Sequence, residues 1–560
     1  MFRILKEPSS RYLLIGPGLI SIFLFFWCAS HTDLSKREAR EGIPVVRMDR
    51  GDSLFLPKIH DQKLRTKPPV FYWTGLLSSK IIGGVHEISL RLPSILAGTA
   101  TVFLTTLFAA RLFSPIAGCM AGIILATAWR FTYLSSHARI DAMFTFFITL
   151  SIIASWEMVK AEDTETKTQA SWWAALAMGF AVLTKGPLGL IFPLLVLLIF
   201  CRWTNHTGVP WTRLVLIPLA MVLAWFMTAW WLGGEPFQTM ILQEVLDRIQ
   251  GSESIQVHKQ PIYYYIPQIF LGLAPWSLFL PVVLWQGCTS SLHEDRWRFP
   301  VIAVSALFIF LSLFSGKRGD YLLPLYPMAA VLIGAFLSAP SFNKKPSPGL
   351  AGTIAILSGL MVLSAILIVG LAVIPVDPDI HLGFLNSRDR WMVELIYNNH
   401  LPSPAFLAAT ALCMLAFAGG LMQALKNNSR MGFWRITAVW ALFILIIVHG
   451  PVVRVINQYT TLKPFAQKVN IAVGNAPLLH YREIREDLLY YLDRSVEERW
   501  NEDAFQVPLD QPGTYLMAPL NKNRPRFEQE EKLKIVFQTD RSFTGYKLME
   551  SPTVKQNLNR

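Results

Sequence analysis

Apolar runs about as long as a lipid bilayer is thick recur along most of this chain, and that repetition restricts its fold more than any other feature. A hydrocarbon core of about 30 Å is crossed by about 20 apolar residues of helix. Runs of this kind fall near residues 12–30, 92–112, 117–133, 142–159, 172–183, 188–200, 214–232, 266–285, 301–314, 322–339, 350–374, 405–425 and 436–453. The composition agrees: 52% hydrophobic and 16% charged residues over 560 positions is a balance that soluble domains of this size seldom reach. The expected fold is an all-α polytopic membrane protein with about thirteen transmembrane helices.

A formal net charge of +13 could serve nucleic acid, but a nucleic-acid binder gathers its Lys and Arg on one hydrophilic face or arm. Here the cations sit between apolar runs, which suits the lipid bilayer, its anionic headgroups or a phosphate-bearing substrate instead of nucleic acid. Arg3, Lys6 and Arg11 place the N-terminus on the cytoplasmic side. The same choice puts Arg202, Arg213, Arg296, Arg298, Lys344, Lys345, Lys426 and Arg430 inside, and an odd number of spans delivers the C-terminal segment to the opposite face. The five cysteines each lie in an apolar run with no paired spacing and read as packing residues. The first run lacks a small-residue cleavage site before Lys36, so it reads as a membrane helix and not as a cleaved signal.

Two regions depart from this pattern. Residues 31–91 form a long outer loop in which Lys36, Arg37, Arg40, Arg47 and Arg50 interleave with Asp33, Glu38, Glu41, Asp49 and Asp52. A loop of that length is more often functional than passive, the plain alternative being a headgroup-binding collar. Beyond residue 453 hydropathy falls and charge rises, dividing the chain into a transmembrane domain, 1–453, and a soluble C-terminal domain, 454–560. Short apolar stretches at 477–480 and 514–518 read as strands and 484–492 as a helix, suggesting a small α/β fold.

Charged groups gather beside the outer ends of several runs. Lys67 precedes Pro68 and Pro69, which stiffen the backbone, and Tyr72 and Trp73, which favour the headgroup level. A lysine held there can grip a lipid phosphate or serve as an ordinary interfacial anchor. Arg139 and Asp141 stand between two runs, where the helix macrodipole favours a carboxylate and where a cap paired with an arginine is the structural alternative. Lys185 in Leu183-Thr184-Lys185-Gly186-Pro187 and Lys317 in Gly316-Lys317-Arg318-Gly319-Asp320-Tyr321 add cations to the same face. Scattered anchoring does not require four loops to bring cations to one mouth.

In these motifs the chain resembles the bacterial GT-C glycosyltransferases related to lipid A aminoarabinose transferase and the protein O-mannosyltransferases. The order Glu38-Ala39-Arg40, Gly51-Asp52, Pro57 and Lys67-Pro68-Pro69 follows the family's first outer loop. Asp141, the Leu183 to Pro187 turn and the Tyr321 to Pro327 run match its later motifs. Where relatives carry Asp followed by Glu, this chain has Arg37 and Glu38, so the first-loop acid is Glu38 or Asp33. Thr66 replaces the acid that relatives place before Lys-Pro-Pro, and His258 is left as a lone candidate ligand, so no metal or other cofactor is expected.

The resemblance implies transfer of one sugar, with inversion, from a polyprenyl-phosphate carrier to a lipid, glycan or protein acceptor outside the cytoplasm of a bacterial inner membrane. The leaving phosphate develops negative charge that cations must meet. Lys67 and Arg40, with Arg139, Lys185, Lys317 and Tyr321, are the implied phosphate-binding residues, and Glu38 and Asp141 the implied catalytic acids that orient or deprotonate the acceptor. The competing class is a transporter or lipid flippase, whose signature is ionisable residues near mid-membrane; the runs contain few of them.

Overall fold

Each of the thirteen apolar runs becomes helix in the computed structural model. That structure describes all residues except 1–7, 61–62, 66, 251–259, 287–293, 339–347, 374–402, 428, 501–502, 512, 521–527, 540–545 and 551–560. Thr66, His258, Lys344 and Lys345 therefore lie outside the described residues, as do Arg3 and Lys6. Among the described residues nine helices are long and apolar enough to cross a membrane, and two bent pairs bring the number to eleven. The bends are 66° between Pro115–Ala126 and Trp129–Ser136 and 117° between Ile262–Gly272 and Trp276–Trp285. The remaining two runs lie in Thr164–Lys185 and in the shorter apolar helix Leu188–Thr204.

The first unit comprises the described residues of Met1–His31, Pro44–Val376 and Pro402–Val452. Its centre is made by α1 (Pro8–Ala29), α4 (Glu87–Leu112), α5 (Pro115–Ala126), α6 (Trp129–Ser136) and α7 (Ile140–Lys160). In the intervening charged loop lie α2 (Lys36–Asp49), a two-stranded ribbon of β1 (Lys58–His60) and β2 (Lys63–Leu64), and α3 (Val70–Ile82). Close helix approach rests on small residues: a Cβ on Gly122 of α5 would stand 2.1 Å from Thr106 Oγ1 and 2.7 Å from the Pro17 ring. The hydroxyls of Thr101, Thr105 and Thr106 on α4 bond carbonyls one turn back, so they are buried without unsatisfied donors.

Two features of this unit set the geometry of its charged mouth. α7 and α8 (Thr164–Lys185) are 21 and 22 residues long and joined by a tight turn, where Asp163 caps α8 by accepting the Thr166 N–H at 2.6 Å. Equal lengths in an antiparallel pair bring the start of α7 level with the end of α8. α9 (Leu188–Thr204) then begins after Gly186, which holds φ +118°, a backbone conformation that a side chain would strain.

The second unit comprises the described residues of Thr32–Ile43 and Val453–Arg560. Its five-stranded sheet has the order β4-β3-β5-β7-β6, formed by β3 (Leu478–Tyr481), β4 (Glu497–Arg499), β5 (Tyr515–Pro519), β6 (Lys534–Gln538) and β7 (Tyr546–Glu550). β3 pairs parallel to β4 and β5, while β7 runs antiparallel to β5 and β6. The helix Glu486–Leu492 falls within the expected 484–492, and β3 and β5 overlay the two expected strands. The first loop differs from its reading, which contained no helix: α2 turns the interleaved charges of 36–49 into the polar face of a helix that buries Ala39, Ile43, Val45 and Met48. Thr32–Ile43 also groups with the C-terminal residues in this unit.

Candidate active site

Asp141 occupies the first turn of α7 and is 7% exposed, so its charge must be met by protein. Lys185, at the end of α8, places Nζ 2.6 Å from Asp141 Oδ1. Arg139 Nη2 donates to Asp141 Oδ2 at 3.1 Å and to Asp320 Oδ2 at 2.9 Å, tying the start of α7 to the 3₁₀ segment Gly319–Leu325. The Lys185 ammonium also lies over the rings of Tyr321, at 4.8 Å, and Phe144, at 5.2 Å, so aromatic faces fill the space that water would take. Ser94 fixes the backbone of Arg139 from both sides: its Oγ accepts the Arg139 N–H at 3.1 Å and donates to the Arg139 carbonyl at 3.0 Å. Burial opposes the charge on Arg139, but Asp141 and Asp320 outweigh it and hold the guanidinium above its ordinary pKa.

A second arginine completes the cluster. Arg130, at the start of α6, reaches Asp320 at 3.8 Å and donates to the backbone and side-chain oxygens of Gln268 at 3.2 and 2.7 Å. A Cβ on Gly319 would stand 2.4 Å from Arg130 Nη1 and from Gln268 Oε1, so this position has to be glycine for the guanidinium to lie there. Arg130, Arg139 and Lys185 thus face two carboxylates, leaving these five groups with one surplus positive charge at the rim of a helical bundle. Such a set costs desolvation, which makes it a poor stabiliser and a good receptor for an anion.

Residues 61–237 match the family model described as dolichyl-phosphate-mannose-protein mannosyltransferase. The chain is 26% identical over 57% of its length, and 57% of the relative's, to undecaprenyl phosphate-alpha-4-amino-4-deoxy-L-arabinose arabinosyl transferase 1 of Pseudomonas fluorescens. It is 25% identical to the corresponding transferase of Yersinia enterocolitica over 86% of this chain and 87% of that one. For several of the curated relatives that it matches, this chain spans only about half their length. Its structure superposes on ArnT from Cupriavidus metallidurans bound to undecaprenyl phosphate with a TM-score of 0.73 at 15% identity, covering 98% of this chain and 99% of that one. The chain resembles this group in sequence and has its GT-C fold.

Within the GT-C fold the sequence-derived site residues separate into groups. Arg139, Asp141, Lys185 and Tyr321 come together. Lys67 is half-buried three residues before α3, and Thr74 Oγ1 of α3 lies 3.9 Å from Met143 Sδ, in the first turn of α7. That contact joins α3 to the start of α7 at a position seven residues after Lys67. Lys317 does not join the acids: its buried ammonium donates to the carbonyls of Gln260, at 3.0 Å, and Phe314, closing the end of the helix Asp295–Leu313.

In the second unit Glu38 is buried, and its Oε2 accepts the Ser35 N–H and hydroxyl, both at 3.0 Å. Glu38 thus supplies the back-reaching half of a Ser-x-x-Glu helix start, a spacing plain in the sequence and not recognised there, while its own N–H donates to the Ser35 carbonyl at 2.9 Å. Asp33 bonds Asn457 and Lys463, and Arg40 Nε is 3.7 Å from Glu41. Arg130 and Asp320 were passed over as site residues. Arg130 lies inside the apolar run 117–133, and an ionisable group within such a run is the signal that finds it.

Proposed function

We propose that this chain is a membrane glycosyltransferase that moves one sugar from a polyprenyl-phosphate carrier to an acceptor on the outer face of a bacterial inner membrane. The observation that carries this reading is the partly buried cluster of Arg130, Arg139 and Lys185 on Asp141 and Asp320, five groups whose charges sum to one positive. The likeness to a GT-C protein solved with undecaprenyl phosphate makes a polyprenyl phosphate the fitting anion. The thirteen helices would all serve as spans, with the N-terminus cytoplasmic and residues 31–91 and 454–560 outside.

In the proposed reaction an acceptor oxygen bonds to the anomeric carbon as the bond from that carbon to the carrier phosphate breaks. A hydroxyl acceptor passes its proton to the departing phosphate, and an ionised phosphate acceptor has none to lose. The bonding pair leaves on the phosphate, so one step gives inversion. Lys67 and the cluster cations would stabilise that developing charge, a role worth several kcal/mol, on the order of 3, for a well-aimed donor. Asp141 has both oxygens in ion pairs, which suits it to hold Lys185 and Arg139 in register more than to take a proton. Tyr321 would support Lys185 through its ring, and Glu38 would set the first turn of α2 and with it Arg40. Lys317, bonded to two carbonyls, is left out of phosphate binding. We assign no metal, because a hydroxyl at Thr66 and one imidazole at His258 make a poor donor set for a divalent cation. No observation favours the transporter reading.

The test is transfer from an undecaprenyl-phosphate sugar by purified protein in detergent, offering 4-amino-4-deoxy-L-arabinose and mannose as the sugars and lipid A, other envelope glycolipids and protein as acceptors. Lys67→Ala and Asp141→Ala should each lose most of the activity while remaining folded. Unchanged rates in both variants would refute the assignment.

A further inference from the structure

The strand order of the second unit's sheet marks one end of it for a ligand. β3 leads through the helix Glu486–Leu492 to β4 on one side, and β4 leads through the helix Asp503–Asp510 to β5 on the other side of β3. The two helices cover opposite faces, Leu488 packing with Leu478 and Met517, and Phe505 with Leu479 and Leu516. Where connections diverge in this way, a crevice opens outside the carboxyl ends of the parallel strands, here those of β3 and β5.

His480 and Tyr546 meet toward that end. Tyr546 stands opposite Pro519, the last residue of β5, and His480 opposite Met517, and their rings approach to 5.6 Å. Just beyond β3, Arg482 holds φ +68°, a backbone state that few side chains adopt. Its N–H donates to the Arg499 carbonyl at 2.8 Å, and its carbonyl lies 3.0 Å from His480 Nδ1. A carbonyl only accepts, so Nδ1 carries the proton of the neutral ring and Nε2 presents a lone pair. The His480 side chain is 1% exposed, and no group among the described residues bonds Nε2. Leu478, Met517 and Leu548 fill the same face with apolar side chains. Packing alone would place another such residue here, because a buried nitrogen without a partner is destabilising.

The surroundings select the ligand's chemistry. It must donate to Nε2, which rules out a simple anion. Arg485 gives Nε and Nη2 to the two oxygens of Asp487, at 3.0 and 2.6 Å, and Glu486 pairs with Lys36 at 3.5 Å, so these groups leave no unmatched charge for an ion of either sign. Arg485 and Asp487 both act on the Tyr546 hydroxyl, which puts this polar pair beside the two rings. A neutral hydroxyl on a ring with apolar C–H faces meets both requirements, and that is the pattern of a sugar.

We propose that the second unit is a saccharide-binding module, in which His480 Nε2 accepts a hydrogen bond from a hydroxyl of a neutral sugar held against Tyr546 at the carboxyl ends of β3 and β5. Binding displaces no hydrogen bond of Nε2, since it has none to give up. The module is independent of the charged cluster in the first unit and does not rest on the glycosyl-transfer reading.

The experiment uses the full chain at pH 7.5 in a detergent without a sugar headgroup. Hydrogen exchange of Leu478 to Tyr481 is followed with D-mannose, D-glucose, D-galactose or L-arabinose at rising concentration, and with inorganic phosphate in parallel. At least one sugar should slow exchange saturably, by about tenfold when it reaches ten times its dissociation constant, and phosphate should not. His480→Phe and His480→Leu keep an apolar side chain in this layer and remove the acceptor; each, measured against its own exchange without sugar, should lose the effect.

No saturable slowing by any of the four sugars would overturn the proposal, as would slowing that persists in whichever His480 variant folds, the sign of a general solute effect. Phosphate slowing exchange as much as the sugars do would overturn it too, by showing an anion site. Transfer activity enters none of these outcomes, so the module and the transferase reading fail separately.

Discussion

Lys185 Nζ stands 2.6 Å from Asp141 Oδ1, joining the end of α8 to the start of α7 in a site where both side chains are mostly buried. Removing one partner strands the other's charge, which typically costs about 3 kcal/mol. Lys185→Ala and Asp141→Asn should each lower the melting temperature in detergent and reduce transfer by about a hundredfold or more. The double variant Asp141→Asn/Lys185→Met removes both charges and should melt higher than either single variant, with activity still lost. Additive destabilisation in this cycle would show that the two groups do not act as a pair.

Gly319 separates function from stability. The three atoms nearest its Cβ all belong to the far ends of Arg130 and Gln268, which can swing aside. Gly319→Ala should therefore fold with a melting temperature within a few degrees of the parent, yet displace Arg130 from Asp320 and slow transfer by about tenfold, at the lower end for a lost charge-stabilising donor. Gly334→Ala is the contrast: its Cβ would stand 2.8 Å from the Ala117 carbonyl oxygen and from the Ala121 N, so backbone itself must move. That variant should lose about 1–3 kcal/mol of stability. Rates normalised to folded protein and parallel melting curves check both.

The apolar helices were legible because an apolar run of bilayer length needs no tertiary context to be helical. The pairing of Asp141 with Lys185 was half legible: both flank short turns, but only equal helix lengths bring them level. α2 was hidden because its charges outnumber its apolar residues and Pro44 interrupts it, although Ser35 and Glu38 carry a capping spacing. Asp320 could not be matched to Arg139 from spacing, since 181 positions separate them and only packing of α7 on the 3₁₀ segment joins them. The first-loop acids were read for chemistry alone. The structure gives Glu38 a helix start and Asp33 a clamp, roles that depend on partners far along the chain.

Ser94 acts on the site through the backbone. Its hydroxyl satisfies both the N–H and the carbonyl of Arg139, which is extended at φ −132° as it enters α7. Ser94→Ala leaves both groups without that partner in a buried setting, at a cost of about 1–3 kcal/mol. The expected result is a modest drop in melting temperature and a larger loss in transfer, about tenfold, because the Arg139 side chain aims at two acids from that backbone. A threonine at this position keeps the hydroxyl and should restore activity, whereas equal loss in Ser94→Thr would point to packing instead of hydrogen bonding.

The second unit should show its own response to pH. His480 on β3 is buried beside Tyr546, with Nδ1 3.0 Å from the Arg482 carbonyl, and burial pushes its pKa from 6.5 down to about 4, with that bond opposing only in part. The folded imidazole is therefore neutral where the unfolded one is protonated, so unfolding binds a proton between about pH 6.5 and 4. Stability conferred by this group is complete above pH 6.5, falls as pH drops through that window, and changes no further below about 4. The whole effect is about 3 kcal/mol, and by pH 5 it should lower the protection of β3 amides by about thirtyfold. Hydrogen exchange of Leu478 to Tyr481 at pH 7.5 and 5, corrected for intrinsic rates, measures it in the full chain. His480→Phe should remove most of the pH dependence, and an equal loss of protection in that variant would assign the effect to other groups.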